Sequence, residues 1–146
     1  MSYKLTFQYN HLGFGALCIW KNDRIEECFP CRTGSINGDG KLVNAIPVGV
    51  WTAFEFTLLP ASHREIEPSL FVKIGDEWLG FKLRLRTPDG AWSHYLIHVD
   101  GSVDGKHDGN GSDGCVVSLK RHFELCGRLS SIMKIMREMP VEVSIK

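Results

Sequence analysis

Residues 94–119, HYLIHVDGSVDGKHDGNGSDGCVVSL, decide how the rest of the chain is read. A short apolar run ending at Val99 enters a segment crowded with glycine and aspartate, and a second apolar run leaves it at Cys115. The Gly/Asp segment buries little apolar area and costs entropy to order, so a small domain keeps it as a surface loop between two strands. His98 lies beside the end of the first strand and Cys115 at the start of the second, 17 positions later. Adjoining strand ends bring such residues to hydrogen-bonding distance, and a thiol beside an imidazole is the minimum apparatus for thiol nucleophilic catalysis.

The chain around this stretch has 146 residues, enough for one domain spanning 1–146 with a sizeable core and no room for a second. Lysine plus arginine balances aspartate plus glutamate at 17 each, so the charge predicts neither a nucleic-acid partner nor attraction to an anionic membrane. No stretch has the length and apolarity of a membrane span, and the start, MSYKLTFQYNHLGFG, lacks the basic and apolar regions of a secretory signal. The expectation is synthesis in the cytoplasm without a signal peptide and no stable membrane insertion. Five cysteines, an odd number, leave at least one thiol outside any disulfide.

Strand signals dominate. Residues 3–9 alternate Tyr3, Leu5, Phe7 and Tyr9 with polar residues, the period of a strand with one buried side. Gly13 to Trp20 and Ile25 to Pro30 follow as a hairpin around Lys21-Asn22-Asp23-Arg24, because Asn and Asp tolerate the left-handed backbone of such a turn. Cys28-Phe29-Pro30-Cys31 has the spacing of a redox pair or half a zinc site. The turn expected at Arg32 to Ser35 supplies no helix N-terminus for the first and no second close cysteine pair supplies the other half, so structural thiols are favoured over a Cys28–Cys31 disulfide or a metal.

Gly34 to Lys41 reads as a flexible connection, since it lacks the frame of a phosphate loop. A Pro-x-Gly turn at Pro47 to Gly49 then precedes an aromatic strand over Val50 to Leu58. Pro60 to Pro68 suits a loop or one helical turn. Leu70 to Ile74, Trp78 to Leu85 and Trp92 to Val99 read as strands, the middle one with Lys82, Arg84 and Arg86 on its wet face. Such cations keep a strand soluble, and they would also meet an acidic substrate.

From Leu119 apolar residues recur every three or four positions to Met136, which predicts one amphipathic helix or two pieces hinged at Gly127. Val141 to Ile145 alternates as a last strand. The fold class expected is mainly β, largely antiparallel, with one packed helix.

At the loop, Cys115 needs a base, and His98 is the preferred one. His107 sits within the loop, His94 lies farther back on the strand, and His122 falls on the first helix turns as a fallback. Gly114 clears the approach to the sulfur, and backbone amides near Cys115 can serve a developing oxyanion. Ser112 is assigned to steady the turn or the histidine. Asp113 can orient His98 or a substrate amine, although a carboxylate beside a thiol opposes thiolate formation. A calcium loop is the rival reading of the aspartates, but the twelfth position from Asp104 is Cys115 in place of glutamate. No cofactor or metal is expected.

Ser112-Asp113-Gly114-Cys115-Val116-Val117-Ser118-Leu119, preceded by Leu96-Ile97-His98, resembles the signature of L,D-transpeptidase catalytic domains. Upstream, Cys31-Arg32-Thr33-Gly34 and Ile46-Pro47-Val48-Gly49-Val50-Trp51 are similar to the family's glycine-bearing turn and Pro-x-Gly step. The resemblance implies an L,D-transpeptidase-like β-sandwich. It implies Cys115 as nucleophile, His98 as base and the amides near Gly114 and Cys115 as oxyanion donors.

The implied substrate is the stem peptide of bacterial peptidoglycan, acylating the thiol with loss of a terminal D-amino acid and then passing to an amine, a free D-amino acid or water. Val99, Asp113 and Val117 depart from the family's glycine, histidine and arginine. That branch of small domains resembles antibacterial toxins injected into rival periplasms, which implies a secretion apparatus and a cognate immunity protein as partners. A catalytically inactive peptidoglycan- or protein-binding module on the same fold is the alternative.

Overall fold

The computed structural model describes residues 2–99 and 114–146. In chain order the strands are β1 (Tyr3–Tyr9), β2 (Phe14–Lys21), β3 (Arg24–Thr33), β4 (Ser35–Ile36), β5 (Leu42–Val43), β6 (Gly49–Leu58), β7 (Phe71–Ile74), β8 (Glu77–Arg86), β9 (Trp92–Val99), β10 (Val116–Ser118) and β11 (Val141–Ile145). The helix α1 (His122–Ile135) separates the last two strands, and two 3-10 turns, Ala61–Glu65 and Pro68–Leu70, precede β7. The fold is mainly β with one packed helix.

The sheet runs β6-β11-β1-β2-β3-β10-β9-β8, and β6 pairs with β8, so these eight strands close into a barrel with β7 added beside β8. Closure removes the exposed edges that an open sheet would carry. Where the sequence resemblance implied a sandwich, the strands form one continuous ring. Most neighbours are antiparallel, but β1 with β11 and β9 with β10 are parallel.

Period-two alternation fills the barrel. Leu5, Phe7, Leu17, Ile19, Phe29, Leu83, Ile97, Val116 and Val143 are fully buried in one cluster. Burying each Leu or Phe is worth about 2 kcal/mol. From α1 and its C-cap, Leu125, Leu129, Ile132 and Met136 join the same cluster, their spacing putting them on one helix face. Arg121 pairs with Glu27 and Glu124, and Arg128 with Glu26 at 2.6 Å, fastening α1 to β3.

Three expectations are corrected by this fold, two in the sheet and helix and one at the cysteines. Arg32 and Thr33 belong to β3 instead of a turn, because Arg32 pairs with Val117 and Thr33 with Val116. The helix begins at His122 instead of Leu119, since residues 116–118 are drawn into the sheet between β3 and β9. Of the two forms expected, it takes the single continuous helix through Gly127.

Cys28 is bonded to Cys18 across the β2–β3 hairpin, while Cys31 is fully buried. Residues three apart on a strand face opposite sides, so Cys28 and Cys31 cannot bridge. The turn at Asn22-Asp23 is as expected, both residues having positive φ.

Candidate active site

Along β9 the side chains of Ser93, Tyr95, Ile97 and Val99 turn to the barrel interior. Ser93 donates its hydroxyl to the Leu85 carbonyl at 2.6 Å, and Tyr95 packs on the core, edge-on to Trp51 at 5.0 Å between centroids. Alternation puts Trp92, His94, Leu96 and His98 on the outer face. The parallel register sets Val116 opposite Ile97 and Val117 opposite His98. Extended one and two residues back, it brings Cys115 to Leu96 and Gly114 to Tyr95. The Gly114 contacts agree, because a Cβ there would meet Tyr95 Cε1 at 2.2 Å. Gly114 therefore faces inward, and Cys115 shares the outer face with His98.

Gly114 has φ +111, a conformation that glycine alone adopts easily. Its carbonyl accepts the Thr33 hydroxyl at 3.2 Å, and that hydroxyl oxygen accepts the Ile46 amide at 3.0 Å. The Ile46 carbonyl accepts the Tyr9 hydroxyl at 2.8 Å, and Trp51 Nε1 donates to the Pro47 carbonyl at 3.0 Å. The segment before the Pro-x-Gly step thus braces the backbone that delivers Cys115. Positioning of this kind holds a reacting group more tightly than a loop alone would.

Outside the disulfide, Cys31, Cys115 and Cys126 remain as thiols, and only Cys115 is not buried. Burial pushes the Cys31 thiol up to about 12, partly offset by a backbone hydrogen bond at Leu17, and burial also raises Cys126. Both are held protonated, which leaves Cys115 as the candidate nucleophile.

His98 is 7% exposed, and its Nδ1 contacts the Val99 carbonyl. A carbonyl oxygen only accepts, so Nδ1 is the protonated nitrogen in this contact. His122, the fallback, has Nδ1 2.7 Å from Ser118 Oγ, at the other end of β10 from Cys115. His94 is exposed on the outer face of β9. Ser112, Asp113, His107 and the aspartate-rich segment lie outside the described residues.

Sequence reasoning missed the roof over this face. Leu59, Leu70 and Phe71 form a second apolar cluster against which Leu96 packs, and the Phe71 ring occupies the space a Cβ at Gly80 would need. It also missed Arg32, which aligns with Val117 on the outer face, is 8% exposed and sets its guanidinium 4.7 Å over the Phe14 ring. Lys82, opposite His98 on β8, flanks the histidine from the other side. The alternation of Lys82, Arg84 and Arg86 was the available signal for that side; Arg32, read as part of a turn, gave none.

A cavity of about 620 Å³ lies elsewhere, between β6 and the end of α1, lined in part by Phe54, Phe56, Met133, Met136 and Met139. Its lining holds no thiol or imidazole, so the candidate site is the Cys115 face. Comparisons with protein-family models and with curated proteins find no match to this chain.

Proposed function

We propose that the protein is a cysteine-dependent acyltransferase of the L,D-transpeptidase kind, acting on peptidoglycan stem peptides as a carboxypeptidase, exchange enzyme or transpeptidase. The observation that carries this reading is the common outer face of Cys115 and His98 on adjacent parallel strands, with Cys115 the one thiol that is not buried. The Cys18–Cys28 disulfide suits work in an oxidising compartment such as the periplasm. Delivery into a rival cell, with an immunity protein in the producer, rests on the sequence resemblance.

In the proposed reaction His98 Nε2 takes the Cys115 proton, and the thiolate attacks the carbonyl at the L-centre of the third stem residue. The tetrahedral oxyanion collapses with cleavage of the C–N bond, the imidazolium giving its proton to the departing D-amino acid. The thioester then passes its acyl group to water, a free D-amino acid or a second stem amine, each losing a proton to His98. Hydrogen-bond donors aimed at the oxyanion contribute on the order of 3 kcal/mol each in such reactions.

A silent binding module is the second reading, favoured by the burial of His98. Disaccharide-tetrapeptides incubated with the protein, with and without D-methionine, separate the two by mass analysis. Water incorporated with loss of D-alanine marks a carboxypeptidase, D-methionine incorporated marks exchange, and dimers mark cross-linking. Binding without turnover or adduct establishes the module; unchanged muropeptides without binding defeat both readings.

A further inference from the structure

The outer face beyond Cys115 carries groups that the acyl-transfer step does not use. Arg84 aligns with Leu96, and therefore with the Cys115 row, while Arg86 aligns with Trp92 across a bulge in β9. Trp92 is 58% exposed, yet one side of its ring is held by the Arg84 guanidinium at 5.0 Å and its flank by Phe54 at 5.4 Å. Arg86 lies 4.4 Å over Phe54. The result is an indole pinned in place with much of its surface open to solvent. Glu55 approaches Arg84 Nε at 3.0 Å, too poorly aligned for a hydrogen bond. Among the described residues Lys82 and Arg86 have no ion pair, so within that set three cations face one carboxylate and the strip carries an excess of positive charge.

Distances along the strip have a natural scale. Two residues of β8, from Arg84 to Arg86, rise about 7 Å, and one strand spacing adds about 4.8 Å sideways, which puts Trp92 on the order of 10 Å from Cys115. A stem peptide acylating Cys115 through its third residue has three residues between the reacting carbonyl and its sugar, also about 10 Å when extended. The carboxylates of that peptide would pass over Lys82, Arg84 and Arg86. Aromatic rings with an open face suit a sugar's C–H face, and a pre-positioned ring loses little freedom on binding.

We propose that Trp92 is a sugar-stacking platform for the glycan that carries the stem peptide, with Lys82, Arg84 and Arg86 as the track for the peptide's carboxylates. This rests on the acyl-transfer reading for its substrate class. Cations interleaved with aromatic rings also suit single-stranded nucleic acid, but the 10 Å match to the thiol favours the glycopeptide.

The test is equilibrium binding to a Cys115→Ala protein, using a disaccharide-tetrapeptide, the same tetrapeptide without sugar, and an oligothymidylate. The sugar-bearing ligand is expected to bind about tenfold tighter than the free peptide. Adding Trp92→Ala should erase that preference and leave the free peptide's affinity unchanged, while Trp92→Phe keeps most of it. Lys82→Gln with Arg86→Gln should weaken both peptides alike. Equal affinity for the two peptides, an equal loss of both on Trp92→Ala, or tighter binding of the oligothymidylate would overturn the proposal. Turnover by the unmodified protein is read separately: turnover without sugar preference sinks the platform alone, and sugar preference without turnover sinks the acyl-transfer reading alone.

Discussion

Val117 on β10 stands in parallel register opposite His98 on β9. A parallel pair needs a crossover connection, and here it falls between Val99 and Val116. The arrangement gives His98, within β9, and Cys115, the residue just before β10, one face in common. His98 is thereby held within β9, and Cys115 adjoins Val116 of β10.

That relationship predicts unequal consequences for the two residues. Cys115→Ala should abolish release of D-alanine from tetrapeptides and remove any covalent adduct seen by intact-protein mass. His98→Gln should lower the rate by about 10²–10⁴-fold while the fold persists, since general-base assistance is worth about that much. Retained turnover in Cys115→Ala would end the acyl-enzyme account.

Alkylation offers an independent check of which thiol is reactive. At pH 8 under native, non-reducing conditions, iodoacetamide should add once, at Cys115, because burial holds Cys31 and Cys126 as thiols. Denaturation without reduction should raise the count to three, Cys31, Cys115 and Cys126. Peptide mapping that finds native modification at Cys31 would contradict the packing described for β3.

Gly114→Ala should damage both stability and activity. The new Cβ would overlap Tyr95 Cε1 at 2.2 Å on a backbone with φ +111, a combination worth roughly 1–3 kcal/mol or more. Because the Gly114 carbonyl is anchored by Thr33, relief must come by moving the next residue, Cys115. Denaturant titration beside native alkylation of Cys115 reads both effects, and a variant with parental stability and reactivity would count against the inward orientation of Gly114.

Local patterns were legible where the physics is local. Tyr3, Leu5 and Phe7 alternate because one face is buried, and Asn22-Asp23 turns because both side chains tolerate positive φ. Pairing across distance was not. A straight two-residue hairpin would set Cys18 against Glu27; the irregularity between Ile19 and Trp20 shifts the register by one and sets it against Cys28. Ring closure through β6 and β8, and the roof of Leu59, Leu70 and Phe71, likewise depend on contacts with no local signature. At the site, His98, Gly114 and Cys115 were legible as a motif, whereas Thr33 and Arg32 were hidden inside a segment that reads as a turn until β10 pairs with it.

The hairpin disulfide should matter to stability and not to chemistry. Cys18 and Cys28 enclose a short loop, for which chain entropy gives about 2–3 kcal/mol. The bond lies toward the Asn22-Asp23 turn, whereas the Cys115 end of β10 meets β3 at Thr33. Dithiothreitol should lower the urea midpoint of the parent and leave a Cys18→Ala, Cys28→Ala protein unchanged, with tetrapeptide turnover equal in the two proteins. A matching fall in turnover would show that the hairpin positions the site.

Alkaline pH should expose the buried Cys31. Burial raises its folded value to about 12 from an ordinary 9.0, so between those pH values the folded state keeps a proton that the unfolded chain has released. Fewer protons on the unfolded state make stability fall as pH rises. The contribution is fully present below about pH 9 and is lost through pH 12, by up to about 4 kcal/mol for a three-unit difference. Cys31→Ala removes this titration and leaves a cavity whose cost does not change with pH. The parent should therefore be more stable at pH 7, and its advantage should shrink from pH 9 to pH 12 in paired denaturant titrations. A constant gap across that range would mean that Cys31 ionises as easily in the fold as in water, and that the β3 face lining the barrel is wetter than its packing implies.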